Sequence, residues 1–241
     1  MSSEEKEMPF FDHLEELRRR LLFSLLFITV FSLAGWFFSP QIISFLLKPV
    51  GKLYFFSVLE AFTVRLKISI IVGFALSTPF LLYQAIRFIF PALRQKERHL
   101  ILPLVVFSLL LFLAGIAFGY FLVFPVGLRV LLSFGGGQLE PLLGVSRYLS
   151  FVLWFLLAFG LSFQLPLIIF FLVKLGVITP LFLRQQRKVA IVLAFIMAAL
   201  GPTTDLLSQV LMVVPLILLY EAGLWLSYLG RKYNYGDEKR R

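Results

Sequence analysis

The sequence contains no cysteine and only two histidines, His13 and His99. The first absence removes disulfide scaffolds, thiolate metal sites, cysteine nucleophiles and palmitoylation. Charge is scarce too. Only 15% of the 241 residues are charged and 60% are apolar, where ordinary soluble domains run at about 25% and about 45–50%. The few charges are also bunched. Residues 21–47, 68–86, 100–128, 148–173 and 189–204 carry none, in runs of 27, 19, 29, 26 and 16, and 206–230 carries only Glu221. A soluble fold of this length could not cover so much apolar surface, and a disordered chain, a coiled coil or a nucleic-acid-binding domain is excluded with it.

Catalytic signatures are missing as well. The sequence has no HExxH, no GxSxG and no glycine-rich phosphate loop ahead of a helix. An intramembrane serine protease needs a histidine within the bilayer, and both histidines lie at the edges of apolar runs. Clustered His, Asp or Glu ligands are absent from the pattern. Neither an enzyme nor a resident metal or cofactor is expected.

What the chain does have is length in its apolar runs. A spanning helix needs roughly 20 apolar residues at about 1.5 Å rise each. Six spans are placed at about 21–38, 66–88, 100–124, 148–173, 188–202 and 206–229, followed by a tail at 230–241. The expectation is an all-α integral membrane protein, one membrane domain over 1–241 with no soluble domain. The first span begins after Arg18-Arg19-Arg20 and is expected to end near Ser39-Pro40, because proline cannot continue the helical ladder. Residues 41–49 then suit a short amphipathic helix at the interface. The fifth span is short, and 203–205 leave almost no loop before the sixth. Met1–Glu16 is polar and acidic, and 21–47 is too long for a signal-peptide apolar region, so no cleavable leader is expected.

Six spans put both termini on one side. That side collects sixteen Lys and Arg, in 1–20, 89–99, 174–188 and the tail; the other has six, Lys48, Lys52, Arg65, Lys67, Arg129 and Arg147. The excess of positive charge assigns both termini to the cytoplasm.

The informative residues of such a chain are polar ones that hydrocarbon should exclude. Gln164, in Phe163-Gln164-Leu165-Pro166, falls well inside the fourth span, and its amide needs partners: a helix-to-helix hydrogen bond, or a functional contact. Glu221 falls about four turns into the sixth span, where a carboxylate must pair, face a polar cavity or take up a proton. Asp205 stands at the outer turn, where it is either a helix N-cap or a functional acid. Tyr83, Gln84 and Tyr120 are milder cases. On the cytoplasmic margin, Leu14, Leu17, Leu21 and Leu22 trace an apolar helical stripe, and Glu16 precedes Arg20 by four residues, spacing for an intrahelical pair. Glu97 sits in Arg94-Gln95-Lys96-Glu97-Arg98-His99, either a solvated loop charge or a helix N-terminal acid. A proton-coupled small-solute secondary transporter, with Glu221 as proton carrier beside Gln164, is one reading of this set. Six short spans without visible inverted repeats are few for alternating access.

The residues collected this way resemble the TatC family, the multi-spanning receptor subunit of the twin-arginine protein translocase. The resemblance runs along nearly the whole chain. It begins with Phe11-Asp12-His13-Leu14-Glu15-Glu16-Leu17-Arg18 and continues through Tyr83-Gln84, Phe88-Ile89-Phe90-Pro91-Ala92-Leu93 and Lys96-Glu97-Arg98. Further along come Phe118-Gly119-Tyr120-Phe121, Phe124-Pro125, Tyr148-Leu149-Ser150-Phe151, Ala158-Phe159-Gly160 and Phe163-Gln164-Leu165-Pro166. Gly201-Pro202-Thr203-Thr204-Asp205 and Glu221 complete it. Any one of these is weak; their order on six spans is specific.

The resemblance implies a concave, glove-like bundle in the cell inner membrane that binds the paired arginines of export signal peptides on folded precursors. An acid of the N-terminal motif and an acid of the first cytoplasmic loop do this in the family; they correspond to Glu16 and Glu97, with Arg18 and Arg20 shaping the same surface. It also implies assembly with single-span TatA and TatB subunits on the fifth and sixth spans, as a homo-oligomer within a receptor complex, and export driven by the proton-motive force. The fourth-span polar position is glutamate or glutamine in the family. Gln164 cannot titrate, so a proton-carrier role there is in doubt, while hydrogen bonding to a partner remains open.

Overall fold

The structure, a computed structural model, describes residues 10–51, 53–89, 101–133, 142–199 and 206–238. Among these the regular structure is helical, with an isolated bridge between Tyr54 and Gly144 and no strand. The helices are α1 (Phe10–Leu47), α2 (Glu60–Ile89), α3 (Ile101–Phe118), α4 (Phe124–Ser133), α5 (Val145–Ser162), α6 (Leu165–Lys174), α7 (Pro180–Gln185), α8 (Arg187–Ala199) and α9 (Leu206–Glu238). A π-helical segment, Gly119–Val123, joins α3 to α4. Leu14–Leu47, Glu60–Ala85, Pro103–Val130 and Val145–Lys174 are each long and apolar enough to cross a membrane, and Met212–Tyr228 is a shorter apolar stretch. The chain is therefore a multi-pass membrane protein.

The first helix does not stop at Pro40. The ladder bond that Pro40 cannot donate would have reached the Trp36 carbonyl, four residues back. The Ser39 hydroxyl donates to that carbonyl instead, at 2.7 Å, and Arg65 Nε donates to Ser39 Oγ at 3.2 Å. With the orphan acceptor satisfied, α1 runs on to Leu47 rather than giving way to the separate interfacial helix expected at 41–49. The fourth span behaves in the opposite way. It breaks at Phe163-Gln164 into α5 and α6, with Pro166 in the first turn of α6, where its missing N–H costs nothing.

Packing is built on small residues. α1 lies along α2 so closely that a Cβ on Gly73 would stand 2.0 Å from Ser32 Oγ, and one on Gly160 of α5 would meet the Phe112 ring of α3 at 2.7 Å. α5 packs on both α2 and α3, while α6 and α8 pack on α9. Only 6% of the most apolar window of α1 is buried, against 50% for α5 and α6 together. α1 thus presents apolar side chains to lipid, and α5 is the interior, around Ile68, Phe124, Leu149 and Val152.

The end of α1 is held by two buried tyrosines. Tyr120, in the π-helical segment, donates to the Phe45 carbonyl at 2.9 Å, and Tyr148 of α5 donates to that of Leu46 at 2.8 Å. Both acceptors lie in the last turn, which has no intrahelical donors of its own. Beyond it, Glu60 accepts from the backbone N–H of Phe56 at 2.7 Å and of Ser146 at 3.1 Å. With Tyr54 N–H on Leu143 O and Val145 N–H on Tyr54 O, this ties the segment after α1 to the start of α5.

Candidate functional site

At the opposite end of the bundle the first turns of α1 meet the last turns of α2. The Leu stripe at 14, 17 and 21 sets the helix, and Glu16 and Arg20 fall one turn apart, as the spacing predicts. Arg20 Nε donates to Glu16 Oε1 at 2.9 Å, and Nη2 contacts the same oxygen. Arg20 Nη1 donates to Gln84 Oε1 of α2 at 3.0 Å. The pair is largely withdrawn from solvent, with side-chain exposures of 14% for Arg20 and 23% for Glu16. The second carboxylate oxygen, Glu16 Oε2, is buried and accepts no hydrogen bond from any described residue.

That bare oxygen is the chemically informative atom. A buried carboxylate oxygen without a donor costs on the order of 1–3 kcal/mol, so the site gains when a charged donor reaches it. The flanking positives cannot serve as that donor without moving: Arg18 is exposed, Arg19 lies over the Phe23 ring at 5.8 Å, and Arg87 is engaged with Tyr83. Gln84 holds Arg20 from the side. Sequence spacing names Gln84 as a polar oddity, and only the packing of α1 on α2 shows what it does. Glu97, eight residues past the end of α2, lies outside the described residues, as does Asp205.

The two intramembrane positions are placed and partnered. Gln164 is buried at the break between α5 and α6; Ser108 Oγ donates to its Oε1 at 2.7 Å and its Nε2 donates to the Ser108 carbonyl at 3.0 Å. Ser108, the one hydroxyl in α3, is the residue that spacing alone does not connect to it. Glu221 is not the isolated carboxylate that its place in the sixth apolar run suggests. Arg187, at the start of α8, donates to its Oε2 at 2.7 Å, and the pair is part-exposed, 46% for Arg187 and 31% for Glu221. The adjacent Tyr220 donates to the Leu183 carbonyl, fastening α9 to α7. No group of three or more His, Asp or Glu side chains suited to a metal occurs among the described residues.

A family model described as "Sec-independent protein translocase protein (TatC)" matches residues 12–215. The chain belongs to the TatC family. TatC of Carboxydothermus hydrogenoformans is 39% identical over 98% of this chain and all of its own length, and TatC of Aquifex aeolicus is 40% identical over 93% and 97%. A solved structure titled "Crystal Structure of Twin Arginine Translocase Receptor- TatC" superposes with a TM-score of 0.81 at 40% identity, covering 91% of this chain and 99% of that one. Membership in TatC accounts for the ordered motifs from the Glu16 segment through Gln164 to the sixth apolar run.

Proposed function

We propose that this chain is the receptor and core subunit of a twin-arginine translocase. Its six spans form one concave membrane domain over 1–241, with both termini in the cytoplasm of a cell bounded by the inner membrane. Glu16 and Glu97 together receive the two arginines of a signal peptide on a folded precursor, and Arg18 and Arg20 shape the approach. TatA and TatB subunits join on the fifth and sixth spans, in a homo-oligomeric receptor complex that exports cargo at the expense of the proton-motive force. Gln164, Asp205 and Glu221 belong to the surfaces that assemble with those partners.

The observation that carries the reading is Glu16 Oε2, buried and bare beside an oxygen held by Arg20. A guanidinium is planar, permanently charged and able to donate two parallel bonds to a carboxylate, which a lysine ammonium does not match. A hydrogen bond to a charged group is worth about 1.5–3 kcal/mol, and an incoming guanidinium supplies to Glu16 the same kind of bond that Arg20 supplies now, plus a donor for the bare Oε2. An arriving arginine therefore extends the internal pair at the bare oxygen or replaces Arg20 like for like, and the surrounding Lys and Arg repel cations that lack that geometry.

The test is crosslinking of a paired-arginine signal peptide to membranes carrying Glu97→Ala or Glu16→Ala at normal abundance. Loss in both supports the clamp; undiminished crosslinking in both removes it. The transporter reading draws no support from the site, since Gln164 is hydrogen-bonded at both ends of its amide to Ser108 and Glu221 is paired with Arg187. Saturable proton-coupled solute uptake by the chain alone in liposomes would reinstate it.

A further inference from the structure

The end of the bundle opposite Glu16 holds a second feature, unconnected with the signal site. Between the start of α2 and the start of α5 lies a cleft with a cavity of about 550 Å³, lined by Glu60 and Thr63 on one side and Ser146 and Arg147 on the other. Lys67 continues the α2 stripe one turn beyond Thr63 and donates to Ser150 Oγ of α5 at 3.1 Å. Ser150 in turn lies one turn beyond Arg147 on α5, at the i,i+3 spacing that shares a face. Two cations from two helices thus flank one hydroxyl.

Their depth is common. Lys67 is the last charge before the uncharged run 68–86, and Arg147 the last before 148–173. Both stand where a bilayer's apolar core gives way to its headgroups. Glu60 is held by the Phe56 and Ser146 backbone N–H groups, and its charge also acts on Arg147, so the cleft sets two cations against one carboxylate and keeps a net positive charge. Other cations at this end are occupied within the chain: Arg65 lies over the Trp36 ring and donates to Ser39, and Arg129 donates to the Pro125 carbonyl. Arg147 is exposed; it acts on Glu60 through its charge and donates no hydrogen bond to a described residue. Lys67 is exposed as well, so both cations are within reach of an anion from outside the chain.

We propose that the rim of this cleft binds the phosphate of an anionic phospholipid of the leaflet facing away from the termini, held by Arg147 from the cavity wall and by Lys67 and the Ser150 hydroxyl from the next turn of α2 and α5. A lipid rather than a free phosphate fits because the mouth is apolar: Phe56 and Leu59 line the cavity and are 72% and 71% exposed. Such a lipid would rivet α2 to α5 beside the Glu60 tie.

The experiment titrates the purified full chain in detergent with phosphatidylglycerol, phosphatidylcholine or inorganic phosphate, reading the melting temperature and counting retained lipid by native mass spectrometry. Phosphatidylglycerol is expected to raise the melting temperature and to remain bound. The variant K67Q/R147Q is expected to need at least tenfold more of it, while R129Q responds as wild type. Should the double variant melt early without lipid, R147Q alone, which removes an exposed side chain, is expected to lose at least threefold. An equal response of wild type and variants overturns the site, as does equal retention of phosphatidylcholine. Inorganic phosphate matching phosphatidylglycerol at equal concentration overturns the lipid assignment.

Discussion

Glu60 and Glu16 lie at opposite ends of the α1–α2 pair, and the chain treats their carboxylates differently. Glu60 accepts from two backbone N–H groups, on either side of the gap between the segment after α1 and the start of α5. Glu16 is held on one oxygen by a long side chain of its own helix, with the other oxygen buried and bare. Backbone donors cannot leave without unfolding the loops that carry them, so Glu60 is a fastener. A side-chain donor can swing away as another guanidinium takes its place, which leaves the carboxylate paired throughout, so Glu16 is exchangeable. The kind of donor, more than the burial of the acid, separates a structural carboxylate from a recognising one.

The widest separation is expected between Glu16→Ala and Glu60→Ala. The first should lower affinity for a paired-arginine peptide more than tenfold and shift the melting temperature of the purified chain less than the second does, because losing the Arg20 contact is offset by removing the bare buried oxygen. The second should do the reverse: peptide affinity is kept, and proteolytic nicking between 48 and 59 accelerates, which limited proteolysis reads directly. Equal effects of both variants on peptide affinity would erase the distinction.

Gln164→Leu comes next. It leaves the Ser108 hydroxyl and carbonyl without their partner in a buried site, which costs about 1–3 kcal/mol, and the thermal midpoint should fall by several degrees with peptide binding intact. Gln84→Ala is expected to act on the signal site at a distance, freeing Arg20 and changing peptide affinity only about threefold by titration. The smallest effect belongs to the part-exposed Arg187–Glu221 pair. Arg187→Gln should alter stability by less than about 1 kcal/mol, while Glu221→Ala should disturb co-purification of partner subunits more than it disturbs signal binding.

Much of this was legible in the residues. The apolar runs are visible because charge is excluded from them, and the Glu16–Arg20 pair follows from a spacing of four. What was not legible depended on contacts across long separations. Pro40 reads as a helix end, and only Ser39 on the Trp36 carbonyl, braced by Arg65 from another helix, lets α1 continue. Gln164 reads as an unsatisfied amide until Ser108, 56 residues earlier, is placed against it. Glu221 reads as a solitary carboxylate, yet its partner is Arg187, 34 residues back and at the start of another helix. Gln84 reads as no more than a mild polar oddity in its own helix and acquires meaning only where α2 passes Arg20.

The most direct measurement is the equilibrium affinity of the purified chain for a signal peptide bearing Arg-Arg and for the same peptide bearing Lys-Lys, before and after E16Q/E97Q. Wild type is expected to favour the arginine peptide by at least tenfold, and the double variant to bind both alike and weakly. An undiminished preference for arginine in the double variant would contradict recognition by these two acids.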